Sequence, residues 1–487
     1  MEDLTNQILA VNDFVYQPML MPAVLLLVGA LISVKTGLVQ IRRFPVAVRT
    51  VFAGAFQKGG GTDGTITPFQ ALSTALASTV GNGNIGGVAT AILIGGPGAI
   101  FWMWVCAAVG MATKYAEAIL GVHYRVTREN GELAAGPMYY ITGGIKNQTL
   151  AKPLAYAFAF FGAVTALVGT GNMAQSNTVA RTFVEAASTI FGLEVALWVP
   201  GLLITVCVGL VLLGGIQRIA AVAETLVPSM IVLYVATATI YILMNLTQLP
   251  AVFGLILSRA FSPSAAAGGF IGASVAQAVA AGISRGVLSN EAGLGSAPIA
   301  HGIAKVNHPA EQGVVGLFEV FVDTILVCSM TAFIILSSGL WTDPAYQASS
   351  GDLTAAALST NIPFASLIVA LCSFLFGFST LIGWYYYGEK CFEYLFGSKM
   401  ILPYRIVFIA LIMVGAVSSV PLVWALGTLL NGFMAFPNLI GLLFLLGTVK
   451  KLTTSTSPSA RPASPPPAPR HRLGSAPPGH PSPGGPR

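Results

Sequence analysis

Residues Gly81-Asn82-Gly83-Asn84-Ile85-Gly86 read GNGNIG, which fits G-x-G-x-x-G, the glycine pattern of a dinucleotide-binding turn. That pattern works only between a strand and a helix, with an acidic residue about 20 positions on for the ribose. Here the flanks are ALSTALASTV and GVATAILIGG, and no Asp or Glu occurs between Thr65 and Glu117. The flanks join into one apolar run long enough to cross a bilayer, and this excludes the nucleotide reading. The remaining reading is a membrane helix broken at its middle. Glycine costs a helix about 1 kcal/mol relative to alanine. Four glycines between Gly81 and Gly87 therefore invite unwinding. Unwound backbone inside a membrane survives only where it lines a cavity or is buried in protein. Close helix packing alone would not need Asn82 and Asn84 among the glycines.

Composition agrees. The 487 residues are 55% hydrophobic and only 9% charged, with a mean hydropathy of +0.77. Soluble domains carry about 25% charged residues. The expected class is an all-α polytopic membrane protein. The start, MEDLTNQ, lacks a basic n-region, so no cleavable signal peptide is expected. The five cysteines lie in or beside apolar runs and read as buried thiols, and the five histidines lack metal-ligand spacing. The net charge of +6 reflects basic loops rather than nucleic-acid binding. No H-E-x-x-H, G-x-S-x-G or paired catalytic carboxylates occur, so no enzyme is expected.

Hydropathy predicts about eleven transmembrane helices. They lie near residues 17–37, 68–94, 98–121, 154–182, 196–214, 221–244, 266–300, 312–336, 363–388, 404–420 and 421–448. Lys35, Arg42, Arg43, Arg49, Lys58, Lys114, Arg125, Arg128, Lys146, Lys152, Arg218, Lys305, Lys390, Lys399, Arg405, Lys450 and Lys451 all fall on one side by alternation. That side is the cytoplasm, which puts the N-terminus outside and the C-terminus inside. Ile41–Phe56 and Ala251–Phe261 are amphipathic and read as interfacial helices. The Pro-, Ser- and Gly-rich residues 453–487 are expected to be a disordered tail.

A second interruption is expected at Gly282-Ile283-Ser284-Arg285-Gly286, in the seventh span. Without the first span, ten remain. They divide into five and five, each half opening with an amphipathic stretch and a broken helix of opposite direction. That is the mark of an inverted-repeat transporter with a mid-membrane site. The predicted division is 1–65 for the first helix and amphipathic segment, 66–250 for the first repeat, 251–452 for the second, and the tail. Arg285, Glu291, Glu319 and Asp323 fall inside spans, where isolated charge is costly. A structural or gating ion pair from Arg285 to Glu291, Glu319 or Asp323 is expected, with a proton relay as the rival. Lys114 and Glu117 read as an ordinary pair at a cytoplasmic helix end.

The chain resembles the alanine/glycine:cation symporters. The carrying residues are STVGNGNIGGVATAI (Ser78–Ile92), GGPGAIFWMWVCAAVGMATKYAEAIL (Gly95–Leu120) and GPMYYI (Gly136–Ile141). They continue with GNMAQSN (Gly171–Asn177), SRGVLSNEAGLGSAPIAH (Ser284–His301) and GFSTLIGWYYYGEKCFEYLFG (Gly377–Gly397). The resemblance reaches to about residue 450. It implies a LeuT-like five-plus-five inverted repeat with one extra N-terminal helix. It also implies sodium-coupled uptake of alanine or glycine across the inner (plasma) membrane. Na+ is the coupling ion, with no further cofactor and no obligate protein partner. The family pattern usually reads GTGN where this chain has Gly81-Asn82-Gly83-Asn84, so Asn82 departs from it.

The resemblance also places the site. Backbone N–H groups at Asn82 and Gly83, with Thr79, would meet the substrate carboxylate at the positive end of a half-helix. Gln175, Gly282, Ile283, Thr380 and Trp384 would complete the substrate pocket, with Trp384 as its cap. Carbonyls of Ala77 and Val80, with oxygens of Asn84, Ser379 and Thr380, would hold sodium, a hard cation that prefers oxygen. Rival readings are a proton-coupled amino acid permease and, from a different class, an ion channel. A channel should show a filter repeated around an axis rather than two unlike broken helices in one chain.

Overall fold

The computed structural model describes residues 7, 11, 20–56, 64–128, 131–262, 274–346 and 350–455. The expected disordered tail beyond residue 455, and residues 266–273 of the seventh predicted span, lie outside the described residues. The chain is an all-α polytopic membrane protein. Its main helices are α1 (Leu20–Lys35), α2 (Phe44–Phe56), α3 (Pro68–Thr79), α4 (Gly86–Gly95) and α5 (Gly98–His123). Then come α6 (Pro137–Gly144), α7 (Gln148–Val168), α8 (Met173–Phe191), α9 (Trp198–Leu212), α10 (Gly215–Met244) and α11 (Leu249–Ala260). The last group is α12 (Val275–Asn290), α13 (Pro298–His301), α14 (Pro309–Val320), α15 (Ser329–Ser338), α16 (Ser350–Ser359), α17 (Ala365–Phe396), α18 (Ile401–Val417) and α19 (Val420–Thr454). A two-stranded antiparallel hairpin, β1 (Val126–Thr127) with β2 (Leu133–Ala134), follows α5.

Among the described residues, seven helical stretches are long and apolar enough to cross a membrane. The other four hydropathy segments fall on the short apolar helices α1 and α9 and on two interrupted helices, α3–α4 and α12–α13. The amphipathic stretches form α2 and α11. Rows of exposed apolar side chains, such as Leu202, Val206 and Leu210 on α9, face outward, as lipid contact requires. Inside, helices meet through small residues because lipid offers no hydrophobic drive for association. Gly110 of α5 sits where an added Cβ would lie 3.0 Å from Ala292 Cβ.

Both interrupted helices open with the same local signal. Thr67 accepts from the Gln70 N–H while the Gln70 side chain accepts from the Thr67 N–H. Ser274 and Gln277 repeat this capping box before α12. The first interruption lies where the glycines predict it. α3 stops at Thr79, Asn82–Asn84 form a single 3-10 turn, and α4 resumes at Gly86.

The second interruption corrects the sequence reading. α12 runs unbroken through Gly282, Ile283 and Gly286 to Asn290. The chain opens at Glu291, which is left-handed at φ 57°, and at Gly293 and Gly295, at φ 92° and 85°. Gly282 and Gly286 serve packing instead. A Cβ on Gly282 would lie 2.2 Å from the Ala99 carbonyl oxygen of α5, and Gly286 faces Cys106. This is the small-xxx-small pattern of a close helix crossing.

A third interruption was not expected. The fourth predicted span divides at Gly169–Asn172, between α7 and α8. One further irregularity joins α14 to α15: residues Phe321–Cys328 form a π-helical segment, a feature often found at functional sites.

Candidate functional site

The three interruptions converge on a cavity of about 20 Å3, the volume one bound water needs and little more. The α3–α4 break contributes Ser78, Thr79, Gly81, Gly83 and Gly87, and the α7–α8 region contributes Thr170 and Gln175. The end of α12 supplies Arg285, Leu288 and Glu291, α17 supplies Thr380 and Trp384, and α19 adds Trp424.

Five of the expected substrate residues thus line one space: Thr79, Gly83, Gln175, Thr380 and Trp384. Thr380 and Trp384, four apart on α17, share the face that meets the cavity. Asn82 lies behind the wall, fully buried. Its N–H and its side-chain amide both donate to Gln175 Oε1, each at 3.2 Å. Gln175 in turn donates to the Thr170 carbonyl at 3.0 Å, so one glutamine ties the first break to the third. Asn82 Oδ1 is buried without a hydrogen-bond partner among the described residues. Gly282 and Ile283 are not brought to the cavity. They sit inside a continuous helix packed on α5.

The residues expected around an ion divide differently. α3 ends at Thr79, so carbonyls in its last turn, Ala77 among them, have no helical donor ahead of them. Ala77 and Val80 are buried beside the break. The hydroxyls of Ser379 and Thr380 each donate to the Phe376 carbonyl at 2.9 Å. A hydroxyl has two lone pairs, so donating backward leaves it able to accept or to ligate. Thr380 Oγ1 comes so near the break that a Cβ on Gly81 would lie 2.6 Å from it; glycine permits that approach. Asn84 is heavily engaged. Its Oδ1 accepts from the Gly81 N–H at 2.8 Å, and its amide donates to Asp323 Oδ1 at 2.7 Å.

Asp323 was noted in the sequence as a buried charge and proves to be a junction. The fully buried carboxylate accepts from Asn84 at the first break, from Ser289 on α12 at 2.8 Å, and from Thr324 at 2.7 Å. Asn290, where α12 ends, donates to Thr324 Oγ1 at 3.0 Å. Thr331 donates to the Asn84 carbonyl at 2.8 Å. The π segment and the turn after it therefore hold both breaks at once.

Glu291 closes the other side. Its two oxygens accept from the Trp384 indole N–H at 2.7 Å and from the Ser296 hydroxyl. Trp384 lies against Gly171, where a Cβ would be 2.6 Å from its ring. The indole is thus held by the second and third breaks together. A buried ion pair that the sequence does not reveal stands behind this wall. Glu319 pairs with Lys114 at 3.0 Å and with His301 at 2.9 Å, all three fully buried. Lys114 and Glu117 are likewise not an exposed pair at a helix end. Both are fully buried because α14 covers that face of α5, and Glu117 accepts from the Gly295 N–H and from Asn438.

Sequence reasoning gave Ser78, Thr170, Leu288 and Trp424 no site role and identified Arg285 and Glu291 only as intramembrane charges, yet all six line the cavity. A signal existed for Thr170: Gly169-Thr170-Gly171-Asn172 repeats the G-x-G-N pattern of Gly81–Asn84.

The profile of the sodium:alanine symporter family matches residues 1–461. The chain is 45% identical over 448 residues to the sodium/alanine symporter AgcS of Methanococcus maripaludis, covering 92% of this chain and 96% of that one. It is 39% identical over 453 residues to the probable sodium/glutamine symporter GlnT of Bacillus subtilis, covering 92% and 90%. It is 36% identical over 438 residues to the putative sodium/proton-dependent alanine carrier protein YrbD of the same organism, covering 87% and 86%.

Proposed function

Because the chain belongs to the sodium:alanine symporter family, we propose that it imports small neutral amino acids, alanine and glycine, together with Na+ by alternating access. The observation that carries this reading is the cavity where three interrupted helices meet. Gly83 and Gly87 line it, and their backbone N–H groups would meet a carboxylate there. Carbonyls at the end of α3 and the Thr380 hydroxyl offer oxygens to a cation. Walls that enclose a bound amino acid must part for it to enter and leave, as alternating access demands. The Asp323 carboxyl stands behind Asn84, bound to its side-chain amide.

Proteoliposomes with sodium and proton gradients imposed separately test the coupling. Alanine uptake should follow the sodium gradient, and equal uptake without sodium refutes sodium coupling. Competition by glycine and by glutamine at fixed sodium then ranks the substrates. The names of the relatives span alanine and glutamine, so this ranking decides the side-chain class.

Thr380→Ala should raise the sodium concentration for half-maximal uptake roughly tenfold, about 1.4 kcal/mol for one lost ligand. Trp384→Ala should instead weaken alanine affinity and leave sodium dependence in place. Unchanged values in both variants sink these assignments.

The basic loops support an N-terminus outside and a C-terminus in the cytoplasm of the inner membrane. A C-terminal reporter active only outside the cytoplasm would reverse that orientation. The paired capping boxes before α3 and α12 support a five-plus-five, LeuT-like arrangement of residues 66–250 and 251–452. An experimental structure lacking an in-plane pseudo-two-fold axis between them would overturn it.

A further inference from the structure

The cavity accounts for one face of the π segment and leaves the other unused. Asp323 and Thr324 turn inward, to Asn84, Ser289 and Asn290. The next two residues, Ile325 and Leu326, are only half-buried. With Ser329, Met330 and Phe333 they form one wall of a separate groove of about 730 Å3, within the range of about 300–1,000 Å3 for ligand pockets. The other wall is α11, which contributes Pro250, Phe253, Gly254 and Leu257. Spacings of three and four put these on one helix face, and all four are exposed. A different face of α11, with Val252, Ile256 and Ala260, is buried. The helix thus carries two apolar faces, and the protein buries one of them.

The lining decides what can fill this groove. Ser329 is the one polar side chain among the described lining residues. Its hydroxyl already accepts from the Trp104 indole N–H at 2.7 Å and donates to the Thr324 carbonyl at 3.3 Å. Water or a zwitterionic amino acid would find little there to replace its hydrogen bonds, so the occupant must be apolar. The bilayer supplies one. Ile242 lines the groove while its neighbours on α10, Leu243 and Met244, are exposed, so the groove continues the lipid-facing surface. Its depth fits a single leaflet. Ile325 to Phe333 is eight residues of helix, about 12 Å at 1.5 Å per residue, close to half of a hydrocarbon core about 30 Å thick. Thr247 and Gln248, just before α11, are exposed and polar, as residues at the headgroup level should be.

We propose that this groove binds one acyl chain of a phospholipid, which braces the outer face of the π segment while the inner face holds the first break. Phe253 of α11 stacks on Trp104 of α5 with ring centroids 5.5 Å apart, and Trp104 holds Ser329. The two walls and α5 therefore form one frame around the chain. Gly254 keeps the space open. A Cβ there would meet nothing within 4 Å, so neither packing nor a close approach requires glycine at that position. The site stands whether or not the protein carries alanine.

The test uses full-length protein in detergent and a phosphatidylethanolamine with a photoreactive diazirine near the end of one acyl chain. Peptide mapping after illumination should find labelling of α11 and of residues 325–333 that saturates with probe. Labelling of the exposed row Leu202, Val206 and Leu210 on α9 should rise without saturating. In Gly254→Trp, which fills the groove, labelling of residues 325–333 should fall several-fold, to the α9 level, while Gly254→Ala keeps it. Met330→Trp blocks the same space from the other wall, should the bulky residue on α11 unfold that helix. Labelling no higher than on α9, or unchanged in both blocking variants, means boundary lipid alone and overturns the proposal. Groove residues labelled in the monomer and shielded in a dimer would assign the groove to a second copy, and also overturn it. Added phosphatidylethanolamine should raise the melting temperature of the parent by several degrees and leave that of Gly254→Trp unmoved, since a ligand stabilises the state that binds it. Equal rises in both overturn the bracing.

Discussion

Lys114→Met should destabilise the protein by about 3–5 kcal/mol, the usual cost of stranding a buried charge. Lys114 and Glu319 are both fully buried and 3.0 Å apart. Removing the ammonium leaves Glu319 with His301 alone and takes a cation away from Glu117 as well. Against a total stability of about 5–15 kcal/mol, that loss should appear as a large fall in melting temperature in detergent and low recovery from membranes. Adding Glu319→Leu to Lys114→Met should recover at least half of the lost stability, since replacing both partners removes the desolvation penalty. A double variant no more stable than the single one means that the pair does not carry this energy.

Gly282→Ala should cost about 3 kcal/mol, at the upper end for overpacking. Its new methyl would meet the Ala99 carbonyl at 2.2 Å and Trp102 Cβ at 2.8 Å. Neither gives way easily. The carbonyl is helical backbone, and Trp102 is tied by its indole N–H to the Ala260 carbonyl. Gly286→Ala is the control, one turn along the same face. Its nearest contact would be Cys106 Sγ at 3.4 Å, an ordinary distance. The gain in helix propensity of up to about 1 kcal/mol should offset any crowding there. Thermal unfolding of both variants separates packing from hinge. If these residues formed an unwound transport segment, both substitutions would abolish uptake and neither would differ in melting temperature.

The contrast between these glycines marks what a sequence can tell. Every hydropathy segment corresponds to a helix or an interrupted helix, because spanning a bilayer imposes a length and an apolar composition that local sequence must carry. The first break was legible because Gly81, Gly83, Gly86 and Gly87 crowd together with two asparagines. The second was misplaced by nine residues, about two and a half helical turns. Spacing of four between Gly282 and Gly286 serves helix contact, while the true opening depends on Glu117 and Asn438, which hold Gly293 and Gly295 from distant helices. Such partners have no local signature. The third break did have one, since Gly169–Asn172 repeats the first motif. The pairing of Lys114 with Glu319 was invisible for the same non-local reason. Trp384, Thr380 and Gln175 were placed by resemblance, and the fold brings them to one wall with Thr79 and Gly83.

The π segment at Phe321–Cys328 has a consequence for register. A π turn closes its hydrogen bonds five residues on, so it holds one residue more than an α-helix would at the same place. Were the same eight residues wound as plain α-helix, everything after them would turn by about 100°. Ser329 would swing away from the Trp104 indole that it now meets at 2.7 Å. Thr331 would leave the Asn84 carbonyl and the Tyr234 hydroxyl. The winding of one turn, with no change of composition or charge, thus decides which side chains of α15 face the first break and which face lipid.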